Sequence, residues 1–327
     1  MYSHELLYGL AAAHPDTRFR FCYRSHRFWR ALRETMPPNV SRRLLAEPLG
    51  PRGADVFHGL NQRLPGMRLK RTVATFHDLF VMTGEYSTAE FRARFTAQAR
   101  DAARRADAII AVSEFTRRQV VELLGVEPER VTVVHHGVRP LRAAAAPREN
   151  IVLSVGAIQK RKNIARLVEA FETASKNWRL VLAGSAGYGA GAILERIQNS
   201  PARARISVTG YISSAELADL YARASVFAFP SLDEGFGMPV LEAMAAGLPV
   251  IASNSSALPE VAADAAVLVD PEDTAALAEA IGRMTEDQGL RTEYAARGIA
   301  RAELFTWEKA VRQTWDVYEA LLGRARA

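Results

Sequence analysis

The chain has 327 residues, 49% hydrophobic and 24% charged. These globular proportions exclude a disordered or collagen-like chain and supply apolar material for two domains of roughly 150 residues each. A single cysteine, Cys22, excludes an intrachain disulfide framework and a cysteine-based zinc site. No run approaches the roughly 18 uninterrupted apolar residues of a membrane span, and residues 1–13 lack the basic and apolar segments of a signal peptide, so a cytoplasmic protein is expected. Charge is uneven: residues 1–146 carry 23 Lys+Arg against 14 Asp+Glu, and residues 147–327 carry 19 against 22. The basic front half points to an anionic partner such as a membrane surface, lipid phosphate or nucleic acid. Compositional drift is the plainer alternative, since nearly all of that charge is arginine. The basic residues are scattered with no aromatic platform between them, which argues against nucleic acid.

Along the chain, short apolar runs alternate with amphipathic helical stretches. The opening, 3–13, reads as a helix, followed by strands at 19–23, 55–57 and 72–76. A helix at 89–106, a strand at 108–112, a helix at 116–124 and a strand at 131–134 complete the front half. The pattern resumes with strands at 151–155, 180–183, 206–208, 226–229, 250–252 and 267–269, with helices at 164–174 and 215–222 among them. Continuously apolar strands separated by helices mark parallel sheets covered on both faces. Eleven strands exceed one comfortable sheet, so two doubly wound α/β units are expected. The stretch 139–149, RPLRAAAAPRE, has two prolines and no period. It separates a domain at 1–140 from one at 150–305, with 141–149 as the linker. A last amphipathic helix, 307–322, follows Thr306 as N-cap. A Rossmann-like half opens with a strand and a Gly-rich turn, whereas this chain opens inside what reads as the first helix. The first strand of the front domain is therefore expected to be missing, or the start site to lie too late.

Ligands of open parallel sheets bind at the carboxyl ends of strands, which selects two loops. After strand 151–155 come Gly156 and then Gln159, Lys160, Arg161, Lys162 and Asn163 before a helix. Adjacent cations at a helix N-terminus make an anion site through side-chain charge, N–H groups and dipole; a solvated loop is the plainer reading. After strand 226–229 comes PSLDEGFGMPVLEA, in which Pro239 suits the first turn of a helix beginning near Gly237. Its glycines leave backbone N–H groups uncovered. Glu234 and Glu242 stand eight apart, one at the helix mouth and one inside it. Such carboxylates accept from the vicinal diols of a sugar and a ribose. In the plainer reading Glu234 merely offsets the helix dipole and Glu242 lies on the surface. With no acidic triplet at a strand end and no histidine pair at ligand spacing, no metal is expected.

The segment SLDEGFGMPVLEAMAAGLPVIAS resembles the signature of glycosyltransferase family 4, retaining nucleotide-sugar transferases of GT-B type. The resemblance extends through VGAIQKRKNIARLVEAF, TGYISSAELADLYARASVFAFPS, SALPEV and LVDP, and in the front half through TFHDL and AVSEFTRRQVVELLGVEPERVTVVHHGV. It is strongest toward bacterial mannosyltransferase-like members of O-antigen and surface-polysaccharide synthesis. It implies two Rossmann-like domains facing a central cleft and closing over the donor, with the last helix crossing back to the front domain. Glu234 is implied to meet donor-sugar hydroxyls and Glu242 the ribose. Arg161 and Lys162, beside Gly156, would meet the diphosphate, and Gly235, Phe236 and Gly237 would present N–H groups to the sugar. His77 would line the reaction centre on the acceptor side; a His-Asp pair that merely caps a turn is the plainer alternative. The implied reaction moves a sugar, mannose first among the candidates, from a nucleoside diphosphate to a lipid-linked or saccharide hydroxyl with retention. It uses no cofactor or metal, at the inner face of the cell membrane. Three departures stand out. Ala157 sits where many relatives carry arginine, His136 where relatives more often have asparagine, and no Gly-rich loop precedes Met1. The last keeps open a second reading, an N-terminally truncated paralogue that binds nucleotide or serves as a scaffold without turnover. A phosphorylase or epimerase of the same architecture should not pair this glutamate spacing with RKN.

Overall fold

The computed structural model describes residues 2–46, 51, 53–139, 147–173 and 176–323; most of the expected linker at 141–149 lies outside them. The front half runs α1 (Tyr2–Ala13), β1 (Phe19–Tyr23), α2 (Ser25–Ala31), β2 (Val40–Leu44), β3 (Phe57–Gly59) and β4 (Thr72–Phe76). It continues with α3 (Phe80–Thr83), α4 (Ala89–Arg105), β5 (Ala108–Ala111), α5 (Glu114–Leu124) and β6 (Val131–Val133). The second half runs β7 (Ile151–Val155), α6 (Ile164–Phe171), β8 (Arg179–Ala183), α7 (Ala190–Gln198), β9 (Ile206–Val208), α8 (Ser214–Arg223) and β10 (Val226–Phe229). Then come α9 (Met238–Ala245), β11 (Val250–Ser253), α10 (Leu258–Ala262), β12 (Ala266–Val269), α11 (Thr274–Glu286), α12 (Gln288–Ala302) and α13 (Trp307–Leu321). Caps follow local chemistry. Ser113 accepts from the Thr116 N–H, Gly125 ends α5 in the left-handed region, Ser213 and Glu216 form a capping box, and Thr306 accepts from the Lys309 N–H.

The chain divides into two compact units. One holds residues 1–79, 90–137 and 306–327, and the other residues 80–89 and 138–305. In the first, β3, β4, β5 and β6 form a parallel sheet in that order, and β1 pairs with β2 as a separate parallel ribbon. Leu6 and Leu10 of α1 pack with Trp307, Ala310, Val311 and Val317 of α13 over Val73 and Ile110. The last helix thus completes the first unit's core. The second unit carries a six-stranded parallel sheet ordered β12-β11-β10-β7-β8-β9. Its chain order reverses between β7 and β10, the doubly wound arrangement with its switch point between those strands. All four residues of β10 and the first four of β7 are buried, as continuous apolar strands require.

Three expectations need correction. The strand β2 was not foreseen, because VSRRL carries two arginines and lies part-exposed instead of forming an apolar run. The strand expected at 55–57 sits at Phe57–Gly59, where the parallel register with Thr72–Ala74 places it. The boundaries also shift. Residues 80–89 belong to the second unit, where the Phe80 ring lies beneath the Arg161 guanidinium and Thr83 donates to Asp233. Glu149, assigned to the linker, is pinned there by Arg179 and Arg223.

Candidate active site

In the second unit, the loops leaving β7 and β10 emerge side by side at the switch point, since Val152 and Leu153 pair with Val226 and Phe227. Gly156 ends β7 at φ +144, a conformation side chains disfavour. A Cβ there would lie 3.1 Å from the Lys162 side chain, and one on Gly184 would lie 1.9 Å from the Gly156 carbonyl oxygen. Two glycines thus bring β7, β8 and a lysine stem together. Residues 160–162 form a short 3-10 turn that divides the three cations: Lys160 faces solvent while Arg161 and Lys162 turn inward.

Both inward cations meet Glu234. Lys162 Nζ donates to Oε1 at 2.6 Å, Arg161 Nη1 lies 2.8 Å from the same oxygen, and Ser231 Oγ donates to it at 2.6 Å. These side chains are only 9–10% exposed. Burial pushes the Glu234 carboxyl up, but the two cations and the Lys162 and Ser231 hydrogen bonds outweigh it and hold it below the usual range. The Glu234 N–H donates to Ser256 Oγ at 3.0 Å, and the Arg161 guanidinium also donates to the Asp233 carbonyl. Lys162 Nζ stands 4.5 Å from the Phe229 ring centre, and Arg161 stands 4.2 Å from that of Phe80. Neighbouring Asp233 is pushed up by burial; its Oδ2 accepts from Thr83 at 2.7 Å while Oδ1 is buried without a partner.

Glu242 is buried in α9, not on the surface, and accepts from the Tyr221 hydroxyl at 3.1 Å. Burial raises its carboxyl, with the Tyr221 bond opposing. Gly237 precedes α9 at φ +102, where a Cβ would lie 2.5 Å from Leu258. Gly235 lies between these anchors, and the Phe236 ring is buried edge-on against Phe305, 5.9 Å between centres.

In the first unit, His77 follows β4 and is half-buried among histidine and tyrosine neighbours. The Leu60 carbonyl can only accept, so His77 Nε2 donates to it at 2.9 Å and Nδ1 is left to accept from His136 Nε2 at 3.3 Å. Tyr2 stands edge-on to His77, and its hydroxyl is hydrogen-bonded to Thr75 Oγ1 at 3.1 Å. Thr75 Oγ1 in turn lies 2.7 Å from His58 Nε2, and His58 Nδ1 lies 2.5 Å from the Tyr318 hydroxyl. Burial holds His77 and His136 below the ordinary histidine value and brings His58 down to about 3.

Residues 142–301 match the family model described as glycosyl transferases group 1, and residues 6–142 match the model described as glycosyltransferase family 4. The O-antigen chain mannosyltransferase B of Escherichia coli is 31% identical over 284 residues, covering 81% of this chain and 74% of that protein. This chain belongs to the glycosyltransferases of group 1 and family 4 type. A D-inositol 3-phosphate glycosyltransferase of Xylanimonas cellulosilytica is 32% identical over 68% of this chain and 58% of that protein. Among solved structures, sucrose-phosphate synthase of Thermosynechococcus elongatus matches at TM-score 0.75 and 24% identity, covering 99% of this chain and 93% of that one. Anabaena HepE in complex with UDP and glucose matches at TM-score 0.74 and 17% identity, covering 96% and 95%. These structures share its GT-B fold.

Sequence reasoning about this glycosyltransferase missed the partners that hold its signature glutamates. Ser231, three residues before Glu234, was within reach of a turn argument. Ser256, Tyr221, Phe80 and Thr83 are brought in only by folding. Among the described residues no group of three or more His, Cys, Asp or Glu side chains is placed to hold a metal ion, and no helix is long and apolar enough to cross a membrane.

Removing Glu234 strands two buried cations, so Glu234→Ala should lower stability in urea unfolding by about 3 kcal/mol or more. Lys162→Met leaves the carboxylate paired with Arg161 and should cost less; equal losses would mean that the trio does not form in solution. The first unit should lose stability in mild acid. Histidines held below 6.5 in the fold stay neutral where the unfolded chain's histidines take up protons, so their contribution is complete above about pH 6.5 and is lost as pH falls. Each such histidine adds up to about 1.4 kcal/mol per pH unit. Unfolding followed between about pH 7 and 5 should show this slope, and His58→Gln should reduce it; an unchanged slope would rule out a neutral His58 in the fold.

Proposed function

We propose that this glycosyltransferase transfers mannose from a nucleoside diphosphate to a hydroxyl of a saccharide or lipid-linked acceptor with retention at the anomeric carbon. The observation that carries the reading is the carboxylate-centred cluster of Glu234, Lys162 and Arg161 beside Gly156 at the switch point. Mannose is supported by the likeness to the O-antigen mannosyltransferase of Escherichia coli. Lys162 and Arg161 meet the diphosphate, while Glu234, whose side chain is bonded among the described residues through Oε1, accepts from the sugar hydroxyls with Oε2. Glu242 accepts from the ribose diol. As the anomeric carbon–oxygen bond breaks, its electron pair goes to the diphosphate, where the two cations stabilise the growing charge; a prearranged donor of this kind is worth roughly 3 kcal/mol. The acceptor oxygen bonds to the same face, and its proton passes to the leaving phosphate oxygen. His77, a neutral imidazole committed to Leu60 and His136, lines the acceptor side and need not carry that proton.

Titration calorimetry with GDP, UDP and ADP in EDTA tests the donor site. One diphosphate should bind in the micromolar range, and Lys162→Ala should weaken it at least tenfold, the effect of about 1.4 kcal/mol. If none binds without a metal, cofactor-free recognition is refuted. The product's anomeric configuration, read by NMR coupling, tests retention.

The same reading places the acceptor at an anionic membrane surface, supported by the basic front half and by α2. That helix carries Trp29, 75% exposed, with Arg27 and Arg30, and Arg24 and Arg33 flank it. Sedimentation with phosphatidylglycerol vesicles at low salt should retain the protein; indifference to such vesicles would remove the membrane from the reading.

A further inference from the structure

Tyr221 lies on α8, the helix that leads into β10, and Glu242 lies on α9, the helix that follows it. The Tyr221 hydroxyl stands 3.1 Å from Glu242 Oε2 and 3.4 Å from the Pro239 carbonyl oxygen, one turn earlier on α9. A phenol carries one proton, and the nearer, charged acceptor takes it. Burial, with the Glu242 charge added, holds the phenol well above its ordinary value, so it remains a donor at neutral pH. Among the described residues Glu242 Oε1 forms no hydrogen bond. The phenol therefore fixes one carboxylate oxygen and leaves the other.

The tyrosine is itself held in place. Its ring centre lies 5.9 Å from that of Phe227 in β10. Arg148 Nη1 donates to the Tyr221 and Ala224 carbonyls at 2.6 and 2.8 Å, at the end of α8. Its Nη2 donates to the Ala246 and Gly247 carbonyls at 2.7 and 3.3 Å, at the end of α9. One guanidinium thus clasps the last carbonyls of both helices and sets Tyr221 beside Glu242. Burial works against the Glu242 carboxylate, and the Tyr221 hydrogen bond opposes it. A glutamate without such a partner would have rotamer freedom to lose when a ligand arrives.

We propose that Tyr221 is a positioning residue that holds the Glu242 carboxylate in one rotamer, leaving Oε1 to accept from the ribose hydroxyls of the nucleotide. This rests on the reading above that Glu242 meets the ribose. Tyr221 is 0% exposed, so it acts through Glu242 and not by touching the nucleotide. Preference for a ribonucleotide over its deoxy form then depends on a phenol outside the binding surface.

The test is titration calorimetry of the full chain with GDP, UDP and ADP and with their 2′,3′-dideoxy counterparts. The parent should bind one ribonucleotide at least roughly tenfold more tightly than its dideoxy form, because a site built for hydroxyls rejects ligands without them. Tyr221→Phe keeps the ring against Phe227. It should weaken the ribonucleotide roughly tenfold and leave the dideoxy form within about twofold. In a Glu242→Ala chain, adding Tyr221→Phe should bring no further loss. Equal weakening of both forms by Tyr221→Phe, the effect of a merely structural role, overturns the proposal. Unchanged ribonucleotide affinity in Tyr221→Phe, or a further loss in the Glu242→Ala chain, overturns it while leaving the ribose role of Glu242 intact. A parent that binds no nucleotide, or binds both forms alike, refutes that role and the proposal with it.

Discussion

A single carboxylate oxygen organises the second unit. Glu234 Oε1 accepts from Lys162 and Ser231 and is paired with Arg161. It thereby ties the turn after β7 to the turn after β10 across the place where the sheet reverses direction. Removing three charges from water is costly, and only short, multiple hydrogen bonds in fixed geometry offset that cost. The cost explains the surrounding construction. Gly156 and Gly184 allow the backbones to approach, aromatic rings of Phe229 and Phe80 lie against the cations, and Ser256 holds the Glu234 backbone. A pre-formed cluster of this kind loses little to reorganisation when a charged ligand arrives.

The first unit solves a different problem without charge. Its part-buried chain of Tyr2, Thr75, His58 and Tyr318 satisfies every named polar group with a neutral partner. The chain also joins α1 and α13, the two ends of the sequence, to the sheet. Neutral imidazoles tolerate desolvation far better than imidazolium ions. The site histidine His77 stands beside this chain, edge-on to the Tyr2 ring, and is held in one tautomer by the Leu60 carbonyl and His136.

Residues 80–89 show how a short segment can serve a unit to which its sequence position does not assign it. They lie between β4 and α4 of the first unit yet pack in the second, with Phe80 against Arg161 and Thr83 on Asp233. The cation that meets Glu234 is thus positioned partly by a residue 81 positions earlier in the chain.

The parallel α/β architecture, the apolar strand runs, the Thr306 cap, the Glu234 and Glu242 pair and the cationic turn were legible in the sequence, because each is written in local periodicity or spacing. Apolar runs such as 226–229 bury on both faces wherever they fold, and a glycine that needs positive φ is visible as a glycine. What only the tertiary structure decided is which polar groups meet. Three adjacent cations at 160–162 look alike in sequence, and only the 3-10 turn sends Lys160 outward and its neighbours to Glu234. The partners Ser256, Tyr221, Thr83 and Phe80 come from distant segments. Their contacts depend on strand order and loop paths, which carry no local signal, so their energetics could be read only once the chain was folded.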